Sequence, residues 1–157
     1  MIDDSKEYII CSAVWYHNGK QYPFQNIYGI NEGFVIGGLR HPICMSVCPA
    51  NPYFQQKLVE NGNETLSFEW NEDCAGEITA GFITSYGRFV NRQEAFEIAL
   101  DCGQITRESI QKTQRIDIDV YKGKKVLYSE DVFPKQWYFA TSDGKEVKKI
   151  INLYEGD

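Results

Sequence analysis

Histidine and methionine are scarce in this chain of 157 residues, with two of each. His17 and His41 alone make a poor basis for a metal centre. Structural zinc sites draw on two close-spaced ligand pairs, whereas Cys44 and Cys48 stand four apart with no second pair. No metal or other cofactor is expected. The five cysteines, Cys11, Cys44, Cys48, Cys74 and Cys102, are an odd number and read as reduced thiols of a cytosolic protein. Catalytic signatures are missing as well. There is no Gly-x-Ser-x-Gly elbow, no P-loop and no dinucleotide fingerprint. The glycines between Gly33 and Gly38 lack a strand–turn–helix setting. Positive charge is in deficit: the net charge is −6, which argues against non-specific duplex binding. No apolar run approaches the roughly 18 residues that span a bilayer. The opening Met-Ile-Asp-Asp-Ser-Lys-Glu has no apolar core of a signal peptide. A cytoplasmic protein without membrane or duplex partners is expected.

Aromatics are abundant, with 10 Tyr, 9 Phe and 3 Trp, as suits a β-rich core, an interface or a stacking surface. Tyr8–Tyr16 is a run of β-formers. His17-Asn18-Gly19 predicts a type I′ hairpin turn, with Lys20–Phe24 as the return strand. Phe34–Ile36 predicts a short strand ended by Gly37-Gly38. Pro42 suits the first turn of a helix over Ile43–Val47. Asn51 and Pro52 suit the start of another over Tyr53–Glu60. Leu66–Trp70 alternates as a half-buried strand. Asn71–Gly76 reads as a polar loop and Ile78–Thr84 as a further strand. Thr106 opens a short helix to about Lys112. Ile116, Ile118 and Val120 alternate with acidic and polar residues, and Val126–Tyr128 reads as their return strand. Trp137–Thr141 and Val147–Leu153 form a last pair around Ser142-Asp143-Gly144, although the second could also be a helix end. The sum is one α+β domain over residues 1–157, an antiparallel sheet with two or three helices.

The chain is organised around Gly81–Ile105. Ser85-Tyr86-Gly87 makes a turn, Asn91 with Glu94 has capping-box spacing, and Ala95, Phe96, Ile98 and Ala99 follow at helical spacing. Gly103 suits a left-handed helix end. This places Phe82, Arg88, Phe89, Asn91 and Arg92 around a helix start, a combination suited to an anionic ligand with a planar base. Arg40-His41 precedes another helix. Singly, such arginines are more often ion pairs or caps, and such phenylalanines more often core. Asp117/Asp119 and Glu130/Asp131 could hold a metal ion, but on alternating strands they are more often a solvated face.

The block from Gly81 to Ala95, continued by Ala99 and Gly103-Gln104-Ile105, resembles a motif of small phage proteins. Two further blocks agree in order: Gly38-Leu39-Arg40-His41-Pro42-Ile43-Cys44 and Leu127-Tyr128-Ser129-Glu130-Asp131-Val132. Together, over about residues 8–133, they are similar to the Thoeris anti-defence sponge family of phage proteins. The resemblance implies a protein of the infected host's cytoplasm. It would sequester glycocyclic ADP-ribose or a cyclic oligonucleotide without cleaving it, as a homo-oligomer, dimer or hexamer. It implies stacking of the purine on Phe82, a polar edge at Arg88, Asn91 and Arg92, and a basic pair at Arg40 and His41. Thr84 and Phe89 complete the expected ligand contacts, and no catalytic residue is expected. Cys48–Trp70 looks expanded relative to the family, and Pro134–Asp157 has no counterpart there. Two other functions compete. One is a nuclease- or phosphodiesterase-like enzyme degrading cyclic nucleotides, with a carboxylate-held metal or His41 as base. The other is a protein–protein inhibitor of a host defence factor.

Overall fold

The computed structural model describes residues 2–45, 56–58, 64–71, 74–109, 125–133 and 136–152. Its centre is a six-stranded antiparallel sheet built from β1 (Ile9–His17), β2 (Phe34–Gly38), β3 (Gln56–Leu58), β4 (Glu64–Asn71), β5 (Cys74–Thr84) and β6 (Phe89–Asn91). The order is β2-β1-β5-β4-β3, and β6 also pairs with β5. With the helices α1 (His41–Met45), α2 (Arg92–Asp101) and α3 (Ser129–Val132), this is the α+β architecture expected from the sequence. A separate antiparallel pair, β7 (Gln136–Ala140) and β8 (Val147–Asn152), makes a two-stranded sheet. Val147–Asn152 is therefore a strand and not a helix end.

β1 is apolar without alternation because both its faces are covered. Ala13, Val14 and Tyr16 are all buried. One face carries Ala13, which packs with Ile30, Val35, Trp15, Ile83 and Phe89. The other carries Val14 and Tyr16, which pack with Cys44 and Ile78. A register shift between Ile9 and Cys11 returns Ile9 to a cluster with Phe82, Val90, Phe96 and Leu127. α1 and α2 lie over that side of the sheet. Among the described residues, no helix is long and apolar enough to cross a membrane.

Four expectations are corrected. Asn18 and Gly19 do turn the chain, with the Asn18 side chain accepting from the Lys20 amide at 3.0 Å. No return strand forms at Lys20–Phe24, however. Proline has no N–H for a ladder and its φ suits a helical first turn, so Pro23 opens a 3-10 helix, Pro23–Tyr28. The neighbour of β1 is β2, which runs on through Gly37-Gly38. There the missing side chain admits α1: a Cβ on Gly38 would lie 3.0 Å from Cys44 Sγ. Second, Gln56–Leu58 is a strand on β4, not part of a helix over Tyr53–Glu60; the rest of that helix lies outside the described residues. Third, β4 reaches Asn71 and β5 begins at Cys74, so the expected loop is mostly ladder. Fourth, Val126–Tyr128 forms no strand; the Leu127 N–H donates to the Arg92 carbonyl at 3.0 Å. After Thr106, residues 107–109 are helical. The remainder of that expected helix, the strand at Ile116–Val120 with Asp117 and Asp119, and Cys48 lie outside the described residues.

Candidate functional site

The strand–turn–helix unit forms where the sequence placed it. Gly87 takes φ +79°, a conformation open to glycine, and its amide donates to the Thr84 carbonyl at 2.8 Å. The turn leads into β6, a three-residue strand that the sequence reading did not separate from the turn. Gly81 faces Asn91 across this pair. A Cβ there would collide with the Val90 carbonyl and come within 2.6 Å of the Phe89 ring. Asn91 caps α2, its side chain accepting from the Glu94 amide at 2.8 Å. The Glu94 carboxylate turns to Arg88 Nη1 at 3.1 Å.

Arg88 is anchored at the surface. Its Nε and Nη2 each donate to a Glu7 oxygen at 2.8 Å, and the Thr84 hydroxyl donates to Glu7 at 2.5 Å. The Arg88 guanidinium, followed by the Thr84 hydroxyl, holds the Glu7 carboxyl below its ordinary range against the opposing effect of burial. Glu7 in turn, with Glu94, holds Arg88 protonated beyond its ordinary range. Glu7 has no signal in the sequence that would have paired it with Arg88 81 positions away.

The other basic residues converge beneath the sheet-facing side of α1 and α2. Arg40, His41, Arg92, Ser12 and Ser129 are all buried. His41 Nε2 donates to the Gly81 carbonyl at 2.7 Å, which fixes the tautomer and leaves Nδ1 as acceptor. Facing Nδ1 are Arg92 Nη2 at 3.1 Å and Ser129 Oγ at 3.2 Å. Ser12 Oγ donates to Ser129 Oγ at 2.9 Å. Arg92 Nη1 donates to the Leu127 carbonyl at 2.9 Å, and Arg40 Nη1 to the Leu39 carbonyl at 3.0 Å. Aromatic rings close the cluster: Phe82 edge-on to His41 at 5.1 Å, Tyr128 under Arg92 at 5.8 Å, and Phe133 under Arg40 at 6.0 Å.

The expected ligand contacts therefore divide. His41, Phe82 and Arg92 meet in one place, and Arg40, buried beside His41 in the chain, lies against Phe133. Thr84 and Arg88 belong to the Glu7 cluster, and Asn91 is a helix cap. Phe89 lies across the sheet, edge-on to Trp15 at 5.9 Å. Phe82 is 0% exposed, so neither ring face is open in this arrangement. Ser12 was overlooked, although a lone hydroxyl in step with inward-facing Val14 and Tyr16 was the available signal. Chemically, Ser129 and His41 are a nucleophile and a base within reach of each other. Both are fully buried and the far imidazole nitrogen is committed to a backbone carbonyl, so the pair is closed to substrate here. A surface depression of about 350 Å³ borders α2, lined by Asn91, Gln93, Glu94 and Glu97; two carboxylates make it a poor seat for phosphate. Among the described residues no group of three or more His, Cys, Asp or Glu is placed to hold a metal ion.

A family model described as Phage T4 y16D protein matches residues 8–133. The chain belongs to this phage protein family. The matched span takes in β1 through α3, with the whole buried cluster and the Arg88 turn, and leaves out the β7–β8 pair. No curated protein matches the chain, and no solved structure does.

Proposed function

We propose that this y16D-family protein binds a host signalling nucleotide, of the glycocyclic ADP-ribose or cyclic oligonucleotide class, and holds it uncleaved as an anti-defence sponge of the Thoeris type. The observation that carries the reading is the convergence of His41, Arg92 and Phe82 on one buried point, with the buried Arg40 next to His41 in the chain. Guanidinium forks suit phosphate oxygens, and an aromatic beside them suits a base. Burial suits sequestration, since charge-assisted bonds strengthen away from water. The sealed Ser129–His41 pair fits a binder better than a hydrolase. On this reading Arg88 and Asn91 hold the frame of the site instead of touching ligand, and the protein works as a homo-oligomer in the host cytoplasm. Titration calorimetry with a panel of cyclic nucleotides tests it. Arg92→Lys keeps the charge and loses the fork. It is expected to weaken binding at least tenfold, about 1.4 kcal/mol. Unchanged affinity would remove Arg92 from the site.

One observation favours a second reading. Phe24 and Ile27, on the Pro23–Tyr28 3-10 helix, are 89% and 71% exposed. Adjacent large apolar side chains in solvent suit a protein contact, as an inhibitor of a host factor would make. Phe24→Ser with Ile27→Ser would then abolish inhibition and leave nucleotide capture intact.

A further inference from the structure

The buried arginine cluster is roofed by one short piece of chain. Residues 125–133 cross it as an irregular run followed by the four-residue α3, and they join no sheet. This strap is fixed by apolar as well as polar contacts: Leu127 is buried in the core cluster with Ile9, Phe82 and Phe96, and Val132 and Phe133 pack against that cluster. Leu127 exchanges two bonds with Arg92, its amide to the Arg92 carbonyl and its carbonyl from the Arg92 side chain. Ser129 bonds Ser12 and His41, and the Tyr128 and Phe133 rings lie against the two guanidiniums. The strap also carries acid. Glu130 and Asp131 each have a carboxylate oxygen shielded from solvent, as both arginines have Nε, and an Asp131 oxygen accepts from the Tyr128 amide at 2.9 Å. The segment that covers the two buried guanidiniums thus carries two acidic side chains.

We propose that residues 125–133 are an internal anionic strap that occupies, in cis, the place where Arg40, His41 and Arg92 take a phosphate-bearing ligand, so that ligand and strap exclude one another. The inference rests on the nucleotide-holding reading and adds how the site is kept closed. A competing strap lowers apparent affinity by the fraction of molecules in which it is lifted, so a ligand must displace it to enter.

Two variants test it, with inorganic pyrophosphate and ADP-ribose as probes. Glu130→Gln with Asp131→Asn removes the charge of the strap, and the asparagine keeps an oxygen for the Tyr128 amide. Binding of both probes is expected to tighten on the order of tenfold, and hydrogen exchange at the Leu127 amide to quicken when wild type is given pyrophosphate. Ser12→Cys with Ser129→Cys, at positions whose hydroxyls lie 2.9 Å apart, pins the strap when diamide oxidises the two thiols to a disulfide. The pinned form is expected to bind neither probe, and reduction to restore binding. A neutralised strap that loses thermal stability and gains no affinity overturns the inference, as does a pinned form that binds like wild type. If the pinned form still captures nucleotide, the strap inference fails alone. If no form captures nucleotide, the nucleotide-holding reading fails with it.

Discussion

Phe82 shows how residue-scale context decides a role. It shares a strand face with Ile78, Ala80 and Thr84, and all four are buried. Core is the commoner role of such a phenylalanine, whereas the nearby Arg88 and Asn91 pointed to a ligand. Both are reconciled if Phe82 is the apolar wall of a polar cluster. Phe82→Ala should cost about 3–5 kcal/mol of stability, read by chemical denaturation; a loss under about 1 kcal/mol would contradict close packing around the ring. The Arg88 fork gives a prediction in pH. The folded pKa of Glu7 lies below its ordinary 4.5, so the pair contributes stability above that value and loses it as pH falls through the lowered folded value. Glu7→Gln should therefore be less stable than wild type at neutral pH, with the gap narrowing once pH drops below about 4.5. A gap that stays constant down to acid unfolding would show that Arg88 does not depress Glu7.

At the scale of elements, the best-read segment was the one with redundant local signals. Turn glycine, N-cap asparagine, helical apolar spacing and terminal glycine all agree from Gly87 to Gly103, and α2 follows them, with Gly103 at φ +85°. Asn91→Ala should cost about 1 kcal/mol through its lost cap bond, measured by urea denaturation. Gly81→Ala should disrupt the β5–β6 pair, because the added methyl meets the Val90 carbonyl and the Phe89 ring. The expected sign is a clear fall in melting temperature, and no change would contradict the close approach. Where tertiary pairing overrode local preference, the sequence misled. Asn18-Gly19 announced a two-strand hairpin, but Pro23 could not serve the ladder and β1 paired with β2 beyond the 3-10 helix. Gln56–Leu58 carries a helical composition, yet β4 offered it an edge. Val126–Tyr128 has strand composition but forms no strand, and the Leu127 amide donates to the carbonyl of the first residue of α2.

At the scale of the whole molecule, the residues that the sequence grouped as ligand contacts divide among separate clusters of the fold. His41 lies 51 positions from Arg92 in the chain, and the pairing of β1 with β5 under α1 and α2 brings the two, with Phe82, to one point. Thr84, Arg88, Asn91 and Phe89 are sequence neighbours of that point and serve other structures. Sequence proximity to Phe82 was a good guide to the element and a poor guide to the face. The family match over residues 8–133 contains the cluster, its strap and the Arg88 turn, so the candidate site lies within the portion that defines the y16D family.

The measurement that bears most directly on the proposed function is capture and release. Purified protein is mixed with the product of a TIR-domain enzyme and, separately, with cyclic di- and trinucleotides. Unbound ligand is removed, the protein is heat-denatured, and the released molecules are identified by mass spectrometry. The sponge reading predicts that one ligand is depleted from solution and recovered intact. Recovery of cleaved ligand, or no depletion of any ligand, would contradict it.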